Sequence, residues 1–212
     1  MANFFSASQE EQQEILLSIW QRFKYVIIGF FILLTVFIVA RDYINDSRNE
    51  RELKTSLLFQ EYLESEEDMP SSGKELLEAY PESLYSDFVR LSQAKKEFLK
   101  GESDQAIDLL EFVINRHYDG SEVFNPLVAA AQTRLCRIYI SKKDYQKVLD
   151  ILSDSEILTA SLYELKGDAE NKLGQYELAR VSYMRALQNS PSQTSRALIN
   201  MKISDLGGEE IE

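Results

Sequence analysis

The stretch Tyr163–Pro191 decides the fold, and its sequence is YELKGDAENKLGQYELARVSYMRALQNSP. It contains two amphipathic segments that are separated by the pair Gly174-Gln175. Small residues at helical spacing would let two antiparallel helices approach closely, while tyrosines fill the gap to a neighbouring pair. The stretch therefore predicts a tightly packed helix pair. The positions predicted to make this packing are Gly167, Tyr176, Ala179, Tyr183 and Ala186.

The same pattern recurs twice earlier in the chain. The corresponding packing positions are Cys136 and Tyr145 in the middle unit, and Ala94 and Ala106 in the first. Helix pairs that follow each other at about thirty residues are typical of an α-solenoid, and three units are enough for a stable stack. A last helix from Gln193 would cover the open end. The alternative is a generic helical bundle with coincidental spacing.

The spacing in Tyr163–Pro191 resembles that of a tetratricopeptide repeat. It departs from the family pattern at Lys166 and Glu170, where large apolar residues are usual. The single cysteine, Cys136, occupies a small-residue position, so we interpret it as a packing residue, with a reactive thiol as the alternative. The resemblance implies an all-α fold in which a tetratricopeptide-like α-solenoid ends in a capping helix.

The run Tyr25–Ala40, YVIIGFFILLTVFIVA, contains no charged residue. At about 1.5 Å per residue it spans about 24 Å as a helix, so it needs its flanks to cross a hydrocarbon core of about 30 Å. We predict a single transmembrane helix, represented by Tyr25, Phe30, Leu34 and Ala40. The alternatives are a buried core helix and a cleaved signal peptide.

Local signals divide the rest of the chain. We expect a capping box at Ser72 and Glu75, a helix C-cap at Gly101, and a helix start at Asn125-Pro126. The predicted organisation is a disordered cytoplasmic tail at 1–14, an anchor helix with interfacial flanks at 15–47, a helical neck and linker at 48–82, the repeat domain at 83–206, and an acidic tail at 207–212.

Composition excludes several classes of function. The chain carries 35 acidic and 23 basic residues, a net charge of −12, which argues against nucleic acid as a partner. His117 is the sole histidine and is expected in a solvated loop, so a histidine-based triad is not predicted. The sequence has no Cys/His cluster for a metal and no glycine-rich phosphate loop. We therefore predict a protein that is not an enzyme and that has no metal and no cofactor.

The whole chain resembles the YfgM family of ancillary SecYEG translocon subunits. The resemblance lies in the layout of tail, anchor, charged neck and repeat domain, which closes with KGDAENKLGQYELARVSYMRAL at 166–187. It implies a single-pass protein of the bacterial inner membrane with a cytoplasmic N-terminus and a periplasmic repeat domain. It also implies two partners, the SecYEG translocon and a PpiD-like periplasmic chaperone, and a repeat domain that links secreted proteins to periplasmic chaperones.

The charges beside the anchor favour the opposite orientation. Arg22 and Lys24 precede the apolar run, whereas four basic residues follow it within a short distance. The four basic residues after the apolar run are Arg41, Arg48, Arg51 and Lys54. The alternative function is therefore a cytosol-facing, membrane-anchored scaffold for a signalling or division complex.

The first helix of each pair lines the groove of such a stack. We expect partner proteins to bind side chains on that face. The candidate partner-binding residues are Phe98, Arg137, Ile140, Asp168 and Asn171.

Overall fold

The computed structural model describes residues 9–117, 124–153 and 158–206, and these residues form nine helices and no strand. The predicted all-α class is confirmed. The acidic tail predicted at 207–212 lies outside the described residues. The helices are α1 (Gln9–Glu64), α2 (Ser71–Ala79), α3 (Leu84–Lys100), α4 (Ser103–His117), α5 (Pro126–Ser141), α6 (Tyr145–Ser153), α7 (Ala160–Lys172), α8 (Tyr176–Asn189) and α9 (Gln193–Ser204).

The chain divides into two compact units, residues 1–56 and residues 57–212. The described part of the first unit is α1 as far as Ser56. Its most apolar window has a mean hydropathy of 2.5, and none of that window is buried. By length and composition, α1 is the one described helix that can cross a membrane. The predicted anchor residues Tyr25, Phe30, Leu34 and Ala40 are all exposed.

The exposure of these side chains is inconsistent with a buried core helix, because a core helix hides its apolar surface within the protein. Helix α1 also begins at Gln9. Residues 9–14 are therefore helical, although they fall within the segment predicted as a disordered tail.

The second unit is built from short helices whose ends follow local rules. Gly101 ends α3 with a left-handed φ of 93°, as predicted. Asn125 caps α5 by accepting the backbone N–H of Leu127 at 2.9 Å, with Pro126 as the first helical residue, which confirms the predicted start. The capping box at Ser72 is wrong. Extended Pro70 occupies the cap position, so Ser72 falls inside α2.

Three helix pairs form the stack, α3 with α4, α5 with α6, and α7 with α8, and α9 packs on α8. Helix α5 also packs on α4 and α7, so α3 to α7 share the main core, whereas the buried residues of α8 form a second cluster with Ile199 of α9. The half-buried members of the predicted packing set are Tyr145 and Tyr176. The buried members are Ala94, Ala106, Cys136, Gly167, Ala179, Tyr183 and Ala186.

Helices α7 and α8 approach each other closely at Gly167. A Cβ added at Gly167 would lie 2.6 Å from two ring carbons of Tyr183, so only glycine allows this approach. Glu170, which departs from the repeat pattern, is buried and accepts a 2.6 Å hydrogen bond from the Ser182 hydroxyl. This bond satisfies a carboxylate that would otherwise be costly to bury.

A buried ion network joins α3 to α4. The Asp87 side chain is fully buried and lies 2.8 Å from an Arg90 guanidinium nitrogen and 3.1 Å from that of Arg116. His117 Nε2 lies 2.7 Å from the same carboxylate. The expectation that His117 lies in a solvated loop is wrong. Helix α4 extends to this residue, and its ring pairs with Asp87, which lies far from it in the sequence.

We predict that Gly167→Val lowers the free energy of unfolding by about 2 kcal/mol, because the added atoms overlap the Tyr183 ring and separate α7 from α8. Ser161→Val, at an exposed position of the same helix, is the matched control and should cost a few tenths of a kcal/mol. Urea unfolding of the full chain in detergent, followed by circular dichroism, measures both. Equal midpoints for the two variants would contradict the steric argument.

We predict that Asp87→Asn lowers the free energy of unfolding by about 3 kcal/mol, because it leaves Arg90 and Arg116 facing each other without a buried carboxylate. The control is Asp104→Asn. The Asp104 side chain is 90% exposed and pairs with Lys142 at 2.8 Å, so this change should cost about 0.5 kcal/mol or less. The same urea titration compares them, and a similar loss in both variants would rule out a special role for burial.

Candidate protein-binding groove

The first helices α3 and α5 border two adjoining depressions, of about 370 and 780 Å³, which share Lys95 and Arg134. We name this surface the α3–α5 groove. In the smaller depression, buried Leu110 of α4 contributes to the lining. The helix residues that line the smaller depression are Ala94, Lys95, Phe98 and Leu99 of α3 and Arg134, Arg137 and Ile138 of α5.

The walls of the groove are largely apolar. Phe98 packs against the main core, and Leu99 beside it is 73% exposed. In the larger depression, the exposed side chains of Leu84 and Phe88 continue the same face of α3. The Phe88 ring also packs against the Phe59 ring at a centroid distance of 5.8 Å, with the two rings tilted by 35°. Exposed apolar side chains that line one groove make this face a candidate binding surface.

The charged side chains of the groove are all basic. Lys95, Arg134 and Arg137 line it, whereas no aspartate or glutamate is among the lining residues. Lys95 and Arg137 form no ion pair with the described part of the chain. Since acids outnumber bases 35 to 23 in the whole chain, the groove is electrostatically opposite to the rest of the protein.

Arg134 is the most constrained of the three cations. Its guanidinium donates a 2.8 Å hydrogen bond to the Leu91 carbonyl, which fixes the side chain across the groove. Burial, together with the nearby charge of Arg137, lowers the pKa of Arg134. Like charges one helical turn apart repel by about 0.2–0.5 kcal/mol. An anion bound between the two arginines would relieve this repulsion.

The structure brings together two of the five predicted partner-binding residues. Phe98 and Arg137 line the same depression. Ile140 packs against the main core, and Asn171 is half-buried near the end of α7; neither lines the groove. Asp168 accepts hydrogen bonds from Tyr183 Oη at 2.8 Å and Lys202 Nζ at 2.7 Å. Its carboxylate therefore joins α7, α8 and α9.

Lys95 and Arg134 are not among the residues predicted from the sequence. The spacing of Arg134 and Arg137 places them on one face of α5, which was a usable signal. Lys95 gave no such signal, because only packing brings that face of α3 opposite α5. No group of three or more side chains of the metal-ligating types is found among the described residues.

Cys136 is fully buried, and burial raises the pKa of its thiol to about 12. We predict that iodoacetamide at pH 8 alkylates it at least about a hundredfold more slowly in the native protein than in urea, because the thiolate is the reactive form. Mass spectrometry of the full chain in detergent measures both rates. Equal rates would favour the reactive-thiol alternative.

The model of one protein family matches almost the entire chain. The tetratricopeptide repeat-like domain family matches residues 18–208, which include the helix pairs and the groove. No curated protein and no solved structure matches the chain. Such a repeat domain implies a role in protein–protein interaction. The chain belongs to the tetratricopeptide repeat-like domain family.

Proposed function

We propose that the chain is a non-enzymatic interaction protein, anchored by α1 in the bacterial inner membrane, whose α3–α5 groove binds protein segments. The groove carries this proposal, because it combines exposed apolar side chains with cations that form no ion pair within the described residues. These side chains lie on α3 and α5, the first helices of two pairs in the repeat stack. Repeat stacks of this kind use such continuous surfaces for binding.

The resemblance to the YfgM family supports a finer proposal. In it, the partners are the SecYEG translocon and a PpiD-like periplasmic chaperone, and the protein links secreted proteins to that chaperone. The N-terminus would be cytoplasmic and the repeat domain periplasmic. A membrane tether suits this role, since confinement beside a membrane complex raises the effective concentration of weak contacts.

The flanking charges favour a second candidate, the cytosol-facing scaffold for a signalling or division complex. Basic residues that follow an anchor closely tend to stay in the cytoplasm, and here Arg41, Arg48 and Arg51 follow the apolar run. Long domains, however, are translocated largely regardless of such charges. The two candidates therefore differ in a measurable property, the location of the C-terminus.

We predict that alkaline phosphatase fused to the C-terminus of the full chain is active, whereas a fluorescent protein that folds only in the cytosol stays dark at the same position. Phosphatase activity reports a periplasmic C-terminus because the enzyme needs the oxidising periplasm for its disulfides. An inactive phosphatase together with a fluorescent reporter would favour the cytosol-facing scaffold.

A second experiment tests the groove itself. A photo-crosslinking amino acid in place of Phe98 should capture translocon or chaperone subunits in intact membranes, because Phe98 lines the smaller depression. The same probe at Leu178, an exposed apolar position on α8 that does not line the groove, is the control. Equal capture from both positions, or none from Phe98, would contradict the proposed use of the groove.

A further inference from the structure

The occupant of the α3–α5 groove can be specified by its chemistry. We propose that the groove binds an extended, acidic protein segment that also carries bulky apolar side chains. This inference rests on the proposed function, since it names the class of partner that the same groove would take. Three features of the groove support it: its charges, its apolar surface and its length.

The charges define the first requirement. Lys95, Arg134 and Arg137 face the groove without a carboxylate among its lining residues, although acids are in excess over the whole chain. Lys95 and Arg137 remain unpaired within the described residues, so their charges are available to a ligand. A carboxylate between Arg134 and Arg137 would replace repulsion by two charge-assisted hydrogen bonds. A basic or neutral segment would leave the repulsion in place.

The apolar surface defines the second requirement. Leu99 and Phe98 border the smaller depression, and Leu84 and Phe88 border the larger one. A ligand that is only acidic would leave these side chains in water and would gain no hydrophobic contribution. The observations therefore favour a segment in which acidic residues are interleaved with large apolar residues. They disfavour a simple polyanion such as nucleic acid.

The length of the groove defines the third requirement. Its lining residues on α3 run from Leu84 to Leu99, which corresponds to about 22 Å at 1.5 Å per residue. An extended peptide rises about 3.3 Å per residue. About seven ligand residues would therefore fill the groove. This is long enough for side chains to reach both depressions and the cations that they share.

The test uses fluorescence anisotropy with the full chain in detergent micelles. The probe is a labelled seven-residue peptide in which glutamates alternate with phenylalanine and leucine. One comparison peptide replaces each glutamate with lysine, and the other replaces each apolar residue with serine. We expect only the acidic, apolar peptide to bind, and we expect its affinity to fall as salt is raised.

Matched protein variants locate the binding site. Lys95→Glu combined with Arg137→Glu should weaken peptide binding about tenfold or more, because both changes reverse a charge in the groove. The control combines Lys74→Glu with Arg180→Glu, two exposed positions outside the groove that give the same total change in charge. The control should bind the peptide within about twofold of the unmodified chain. Circular dichroism verifies that both variants are folded.

The outcomes separate this inference from the proposed function. Binding of the lysine peptide or the serine peptide with equal affinity would overturn the inference, as would equal weakening in both double variants. If Phe98 crosslinks membrane proteins but the acidic peptide does not bind, the inference fails and the proposed function stands. If the peptide binds at the groove but no crosslink forms in membranes, the chemistry of the ligand is supported and the proposed partners are not.

Discussion

The close approach of α7 to α8 is the constraint on which the repeat stack depends. The Gly167 backbone lies against the Tyr183 ring so closely that a Cβ there would be 2.6 Å from two ring carbons. The ring is almost fully buried, and its hydroxyl donates to Asp168, which also accepts from Lys202 of α9. Burial, aided by the Asp168 carboxylate, raises the pKa of Tyr183, so its phenol stays a donor. The steric contact sets the spacing of α7 and α8, and the Lys202–Asp168 pair together with buried Ile199 holds the capping helix.

The helices that border the groove are held in place by contacts with their neighbours. Helix α7 packs on α5, and α5 in turn packs on α4 and α3. The two helices that border the groove, α3 and α5, are therefore positioned by the helices packed against them. Buried Leu110 of α4 illustrates the relation, because it belongs to the main core and also lines the smaller depression. The Asp87 network fixes α4 to α3 beside the larger depression, which its member His117 lines. The cations of α5 therefore face α3 at a defined separation.

Much of this architecture follows from local sequence rules. A glycine at Gly101 ends a helix and an asparagine before Pro126 begins one, because these effects act within a single turn. The pairing of Asp87 with Arg116 and of Asp168 with Lys202 depends on chain segments about thirty residues apart. Each of these side chains is ordinary in its own segment, so no periodic pattern distinguishes it.

The positive charges of the groove carry a cost in folding free energy. Partial burial of Arg134 and its repulsion by Arg137 both cost folding free energy, and a hydrogen bond to one carbonyl offsets only part of that cost. Local costs of this kind persist where a binding site requires them. The net charge of −12 would also repel an acidic ligand at long range, whereas the groove attracts it only within about a Debye length of 8 Å. In the proposed function, a tether to the membrane beside the partner would raise the local concentration and so offset this long-range repulsion.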